Sequence, residues 1–329
     1  MANMLKGKSI LVTGAAGFIG AAVSRALLAR GDSVVGVDNL NAYYDVALKE
    51  ARLKPLKADR NFRFHKLDIA DRDAMLKLAD EYSGIDHIVH LAAQAGVRYS
   101  LVNPHAYVDS NLQGFVNILE GCRHNGCKHL LFASSSSVYG ANPELPKRES
   151  QVPMPVSPYA VSKLATEQYA LAWQHSFGLP TLAFRFFNVF GPRQDPESKY
   201  AAVIPRFITA ALAGEAAEVH GDGLQSRDFT YVANVVDGVL RAISTPEAVG
   251  EVFNVAMGHR VSLTQLLATL TAWCEHHNIP YQGVPVGTIK KHATGKGNAS
   301  KDDMIAAMRA RTHPVSDDNE ADALALLHW

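Results

Sequence analysis

The chain of 329 residues is poor in cysteine, carries no net charge and has no long apolar run. Its three cysteines, Cys122, Cys127 and Cys274, form neither a CxxC pair nor a zinc-ligand spacing. That sets aside a disulfide scaffold and a structural zinc site, and it predicts free thiols in the reducing cytoplasm with no bound metal. Lysine plus arginine equal aspartate plus glutamate at 32 each, so no overall field draws the chain to nucleic acid or to an anionic membrane. No apolar stretch approaches the roughly 20 residues that span a bilayer, and the opening MANMLKGKSI lacks the apolar core of a secretory signal. We therefore expect no membrane partner. Internal repeats and low-complexity linkers are also lacking.

What the sequence does contain is alternation. Apolar, β-branched runs at Ser9–Thr13, Ser33–Asp38, Phe62–Leu67, His87–Leu91, His129–Ala133 and Thr181–Phe187 read as strands. Segments with helical spacing lie among them, at Ile19–Arg30, Asp71–Tyr82, Pro104–Asn125 and Pro158–Phe177. This order predicts an α/β fold, a Rossmann-type doubly wound parallel sheet covered on both faces. A ligand crevice is then expected at the carboxyl ends of the strands.

The first such end reads ILVTGAAGFIG, with Gly14, Gly17 and Gly20 spaced three apart where a strand should hand over to a helix. Glycine is a costly choice unless something must approach the main chain. Here the spacing suits a tight turn at Gly14, a phosphate approach at Gly17 and close helix packing at Gly20, with a pyrophosphate at the helix N-terminus. Asp38 ends the second strand 18 residues after Gly20, near the usual interval of ~20 for the acid that holds the adenosine ribose. A carboxylate there repels a 2′-phosphate, which favours NAD over NADP.

Further on, SPYAVSK sets Tyr159 and Lys163 four apart, on one face of a helix that Pro158 can start. A lysine ammonium beside a phenol favours the phenolate and is expected to lower its pKa from about 10. Such a tyrosine can act as a general base. Taken alone, a Tyr–Lys pair of this kind is more often a surface feature. The loop FASSSSVYG follows an apolar strand, however, and so puts its hydroxyls at the crevice.

These elements together resemble the extended short-chain dehydrogenase/reductases, specifically the NAD-dependent nucleotide-sugar 4-epimerases. The motifs TGAAGFIG, DNLNAYYD, LDIAD, HLAAQAGVRYS, SSSSVYG, SPYAVSK, RFFNVFGPRQDP, AAVIPRF and SRDFTYV occur in the family's order across residues 7–265. The resemblance implies Ser135, Tyr159 and Lys163 as the catalytic residues. It implies cofactor contacts from Gly14, Gly17, Phe18, Ile19, Gly20, Asp38 and Asn39, from Asp68 and Ile69 beside adenine, and from Leu91, Ala92, Ala93 and Gln94 beneath the nicotinamide ribose. Ser136, Asn188 and Arg227 would contact a UDP-sugar. The dehydratase branch carries Thr-Asp-Glu where this chain has Ser135, Ser136 and Ser137, which argues against dehydration. The implied reaction is epimerisation through a 4-keto sugar that turns over in the pocket, with Tyr159 as base. DNLNAYYD and HLAAQAGVRYS resemble glucuronate epimerases, whereas RFFNVFGPRQDP and YAAVIPRF resemble glucose and N-acetylglucosamine epimerases. The sugar stays open. The family also implies a homodimer through the helices of 104–125 and 158–177.

Past residue 265 the texture changes. His276 to Lys301 holds no acid, and DDNEADALALLHW closes the chain with clustered carboxylates. The Arg-x-Gly-Asp segment usual in these epimerases is not found. Residues 270–329 resemble instead the C-terminal part of RuvC-like nucleases, with Asp322 at the place of a metal-binding acid and Asn319, beside Asp318, where a second acid often stands. The early strands that such a nuclease needs cannot fit in the segment, so the basic run is expected to hold nucleic acid weakly at most. The expected organisation is a NAD-binding domain over 1–180, a substrate-binding part over 181–265 and an atypical segment over 266–329.

Overall fold

The computed structural model describes residues 7–277, apart from 83, 197–201, 218 and 220–222, together with Asp303 and Ala306. Asp318, Asn319, Asp322 and the lysines of 290–301 lie outside the described residues. The chain divides into two compact units, Met1–Tyr200 with Thr230–Met257, and Ala201–Phe229 with Gly258–Trp329.

The first unit is built on seven parallel strands. They are β1 (Ser9–Thr13), β2 (Ser33–Asp38), β3 (Phe62–Lys66), β4 (His87–His90), β5 (His129–Ser135), β6 (Thr181–Phe186) and β7 (Val252–Val255). Their order across the sheet is β7-β6-β5-β4-β1-β2-β3, with Ile10 opposite both Val34 and His87 in the register of β1. The chain reverses direction of winding between β1 and β4, so a crevice opens there at the carboxyl ends of the strands. All six predicted strands form. β3, β4 and β6 each stop one residue short of the prediction, and β5 runs two further, to Ser135.

Both faces of the sheet are covered because successive apolar residues point to opposite sides. Ile10, Val12, Val34, Leu131 and Leu182 pack on one side with Val23 and Leu27 of α1 (Phe18–Arg30) and Val235 and Val239 of a later helix, Val232–Ile243. Leu11, Val35, Val37, Leu130 and Phe132 pack on the other with Met75, Leu78, Phe115, Ile118, Leu119 and Ala170. Each such aliphatic or aromatic side chain contributes about 1.5–3 kcal/mol by leaving water. The helices on that second face are α3 (Arg72–Glu81), α4 (Gly114–Asn125) and α5 (Pro158–Phe177); α2 (Val46–Lys57) follows β2.

The predicted helix over 104–125 is not continuous. A short turn at His105–Tyr107 leads into a π turn at Val108–Gln113, and only then does α4 begin. The wide turn has a purpose visible in its contacts. It brings the buried Asn111 to the loop after β4, where Asn111 Oδ1 accepts from the Gln94 N–H at 2.8 Å.

The edge of the sheet at β7 is closed by the segment after β5. The Asn254 N–H donates to Glu149 Oε1 at 2.7 Å, and the Asn254 side chain bonds Tyr139 Oη and the Lys147 carbonyl. A capped edge offers no free ladder to another strand.

In the second unit, α6 (Val203–Ala213) and α8 (Leu263–His276) accompany a small antiparallel pair, Ser226–Arg227 with Val261–Ser262. With these named, the helix Val232–Ile243 of the first unit is α7. A capping box starts α8, the Ser262 and Gln265 side chains each accepting the other's backbone N–H. Among the described residues no helix is long and apolar enough to cross a membrane, and no group of three or more His, Cys, Asp or Glu is arranged for a metal ion. Cys122, Cys127 and Cys274 are free thiols.

Candidate active site

The glycine loop is shaped by close backbone contact. Gly14 has φ of +71°, and a Cβ there would stand 2.8 Å from the Ala92 nitrogen. A Cβ on Gly20 would stand 2.0 Å from the Gly14 carbonyl oxygen, so α1 can start this close to β1 only with glycine at that position. The Gly14 and Ala15 N–H groups both donate to the Val37 carbonyl, at 2.7 and 3.1 Å. Gly17 is the N-cap of α1, whose first turn bears no acid. The open N–H groups of that turn suit an anion.

Asp38 leaves the end of β2 buried and well bonded. Its carboxylate accepts from Ala16 N and Leu40 N at 3.2 and 2.9 Å, and Lys49 Nζ lies 3.7 Å away. Lys49 also bonds Asn41 Oδ1, and burial lowers its pKa despite the pull of Asp38. Beside it, the buried Arg52 bonds the Ala16 carbonyl and the Tyr44 hydroxyl. We did not predict Lys49 or Arg52 as site residues, because in sequence they are ordinary charges on a polar helix. Asn39 donates to Asp68 at 2.9 Å, and Asn117 holds the Ile69 carbonyl at 2.8 Å. The two ends of the expected adenosine pocket are thus tied together.

Residues 91–94 are pinned from below. Thr13 Oγ1 accepts from Leu91 N and Ala92 N at 3.2 and 3.1 Å, and it lies 2.8 Å from His90 Nδ1. With both acceptor positions used, the threonine proton goes to His90 Nδ1, so the imidazole is neutral and protonated on Nε2. Burial, helped by the charge of Lys163, pulls His90 down to about 3, in keeping with that assignment. Asn111 completes the clamp, bonding both the N–H and the carbonyl of Gln94, and Ser162 on α5.

Ser135 ends β5, and its hydroxyl accepts from Ser137 N at 3.2 Å. Tyr159 and Lys163 stand in the first two turns of α5, which Ser157 caps through the Ala160 N–H with Pro158 at its first position. Ser135 stands near enough to the Tyr159 hydroxyl to favour its ionised form. The buried Lys163 donates to the Ala133 carbonyl at 2.8 Å. One expectation is corrected here. Burial raises the Tyr159 phenol above its ordinary value, only the nearby Ser135 opposing it. Lys163 is itself lowered to about 8 by burial, against the pull of Glu167. The lysine's charge is spent on a carbonyl rather than on the phenol.

Ser136 begins the 3-10 turn over Ser136–Tyr139, which Ser135 caps. Asn188 starts an exposed short strand of the first unit, and Arg227 is an exposed residue of the second. Phe18 and Ile19 form the first turn of α1. The glycine loop, Asp38, the 91–94 loop and the Ser–Tyr–Lys group therefore all lie in one unit, at the carboxyl ends of β1, β2, β4 and β5. Such an arrangement can cradle a dinucleotide and hold a proton-transferring phenol beside it.

Comparison with known proteins agrees. The sequence model of the "NAD dependent epimerase/dehydratase family" matches residues 10–256. The UDP-glucuronate 4-epimerase of Thermodesulfobacterium geofontis is 40% identical over 262 residues, 79% of this chain and 79% of that protein. The UDP-glucose 4-epimerase of Thermotoga maritima, solved with UDP-glucose, superposes with a TM-score of 0.74 at 34% identity, covering 84% of this chain and 86% of that one. A UDP-glucuronic acid 4-epimerase from Bacillus cereus, in complex with UDP-glucuronic acid and NAD, gives a TM-score of 0.74 at 29% identity and covers 97% and 98%.

Proposed function

The chain belongs to the NAD-dependent epimerase/dehydratase family, and from that premise we propose that it is a UDP-hexose 4-epimerase with UDP-glucuronate as its preferred sugar nucleotide. The observation that carries the reading is the meeting of Ser135, Tyr159 and Lys163 beside the glycine loop, at one end of one sheet. The residues fit NAD: a glycine turn packed too closely on the main chain for any Cβ at Gly14 or Gly20, an acid-free helix start and a buried Asp38 for the ribose. NAD bound there would supply reversible hydride chemistry at sugar carbon 4. Tyr159 takes the proton of the 4-hydroxyl and later returns one, and Ser135 hydrogen-bonds the same oxygen through the 4-keto stage. Lys163, one turn along the same helix and anchored on the Ala133 carbonyl, holds its ammonium at the cofactor's side of the site. Acid–base catalysis of this kind is worth about 10²–10⁴-fold.

The division of labour follows the sequence reading, with cofactor contacts in 1–180 and sugar-nucleotide contacts from Ser136, Asn188 and Arg227. Asp38 selects NAD over NADP by charge. A homodimer through 104–125 and 158–177 is supported by the apolar side chains that α5 and the π turn leave exposed, Val161, Leu171, Phe177 and Val108 among them. We place the protein in the cytoplasm, in keeping with its free thiols. A second reading concerns 266–329. The family match ends at residue 256 and the usual Arg-x-Gly-Asp is missing, so a chain that keeps NAD but turns over slowly follows if the nuclease-like resemblance of 270–329 governs. Nucleic-acid binding by the basic run belongs to that reading alone.

The deciding experiment incubates the protein with UDP-glucuronate, UDP-glucose and UDP-N-acetylglucosamine and resolves the 4-epimers. We expect UDP-galacturonate to form fastest. Tyr159→Phe should abolish turnover while NAD(H) remains bound. Retained NAD with no 4-epimer from any of the three would favour the second reading.

A further inference from the structure

The proposed reaction uses Tyr159, Ser135 and Lys163, yet the most heavily bonded buried acid on α5 is Glu167, one turn beyond the lysine. It carries no role so far. Its Oε1 accepts from Ser134 Oγ at 2.5 Å and from Arg185 Nε at 3.0 Å, and its Oε2 accepts from Arg185 Nη2 at 2.8 Å. Ser134, Lys163, Glu167 and Arg185 are all more than nine-tenths buried.

The pattern is regular. Two successive residues of β5 bond two residues of α5 spaced by four, the Ala133 carbonyl with Lys163 and Ser134 with Glu167, and Ser135, next on the strand, stands near Tyr159, four residues before Lys163. Residues four apart share a helix face, so this is one stripe facing one strand end. Arg185 extends the hold to the far end of the serine loop, donating to Tyr139 Oη at 3.0 Å and to the Glu149 carbonyl at 3.3 Å. The loop 134–139 is therefore gripped at both ends by a single ion pair. Charge matters as well as position, since the carboxylate that pairs with Arg185 also stands one helical turn from the buried Lys163, which faces Tyr159 on its own helix and the neutral His90 of β4.

We propose that Glu167 is a positioning residue for this reaction: it fixes the serine loop through Ser134, and its charge favours the ammonium form of Lys163. The proposal rests on the epimerase reading for its kinetic consequence but not for its electrostatic one. The lowering of Lys163 by burial, with Glu167 pulling the other way, is consistent with it.

The test titrates the Lys163 amine by NMR in the intact protein labelled with ¹⁵N-lysine, using Lys163→Arg to assign the signal. Glu167→Gln keeps the shape and the bond from Ser134 but removes the charge. We expect its lysine to titrate at least one pH unit lower, and the alkaline limb of kcat/KM to move down with it, since the ammonium is lost sooner as pH rises. Glu167→Asp should restore part of the shift. If Glu167→Gln does not fold, the neutral pair Glu167→Gln with Arg185→Met reads the same quantity and should still titrate below the parent. A lysine titration unmoved in the folded variants overturns the proposal. A parent protein without epimerase activity, but with the expected shift, overturns the function and leaves the electrostatic role of Glu167 standing.

Discussion

The two ends of the central sheet differ in how they treat buried polar groups. At the carboxyl ends, Thr13, His90, Asn111, Ser134, Glu167 and Arg185 are bonded to one another or to loop backbone. At the amino ends, His87 of β4 and His129 of β5 lie opposite each other in register with ring centroids 6.3 Å apart. There His87 Nδ1 and His129 Nε2 find no partner among the described residues. Both imidazoles are buried and pulled below their ordinary value, His129 to about 4. A polar group without a partner is expensive in a low-dielectric interior, and a fully bonded one rigidifies its surroundings. The difference teaches where precision is needed: at the end with the site these buried groups hold one another and the loops, whereas the histidine pair at the other end is left with orphans.

The comparison can be broken hardest at the carboxyl end. Arg185→Ala leaves the Glu167 carboxylate buried without its counter-ion, which should cost about 3–5 kcal/mol. Urea unfolding of the variant against the parent measures it; a cost below ~1 kcal/mol would mean that the pair is not buried in solution. Thr13→Val keeps the shape but strips His90 Nδ1 and the Ala92 N–H of their partner. The expected loss is about 1–3 kcal/mol, together with weaker retention of NAD after gel filtration. A Thr13→Val protein as stable as its parent would show that the clamp under residues 91–94 is dispensable.

The amino end should answer to pH instead. His129 is neutral in the folded chain and titrates near 4, against an ordinary value of 6.5. The unfolded chain therefore takes up the proton first as pH falls. Stability from this group is fully present above about pH 6.5–7 and is lost as pH drops towards 4, by at most ~1.4 kcal/mol per pH unit. His87 acts in the same direction, held back by Asp86. Unfolding at pH 7 and at pH 5 reads this directly, and His129→Leu should flatten the dependence. An unchanged slope in that variant would assign the acid sensitivity elsewhere. The smallest effect concerns the cap of α5: Ser157→Ala should cost ~1 kcal/mol and loosen the turn that bears Tyr159.

Much of the fold was legible because strands buried on both faces write continuous apolar runs, and six of them were found within two residues of their ends. The seventh was not: VFNV is short, and as a half-exposed edge strand it leaves no such run. α2 was missed because Pro55 and four basic residues mask its weak periodicity. At the site, the residues with a motif around them lie at the strand ends. Asn111, Lys49 and Glu167 carry no local signal. Asn111 sits in VDSNLQ, which has no helical apolar stripe, and its burial follows from the π turn. Glu167 and Arg185 are 18 residues apart on different elements, so only the fold could pair them.

That π turn sets a constraint on chain length. A π turn holds one residue more than an α turn, so the stretch Val108–Gln113 is equivalent to a one-residue insertion in a helix. Its two sides are anchored separately: Tyr107 Oη donates to the Ala95 carbonyl at 2.9 Å, and Asn111 holds Gln94. Making this stretch a regular helix with its residue count unchanged would turn one side against the other by about 100° and slide it by about 1.5 Å. Either the tyrosine or the asparagine would then leave the loop it supports. A helix made more regular here, at the same length, would therefore be a worse enzyme.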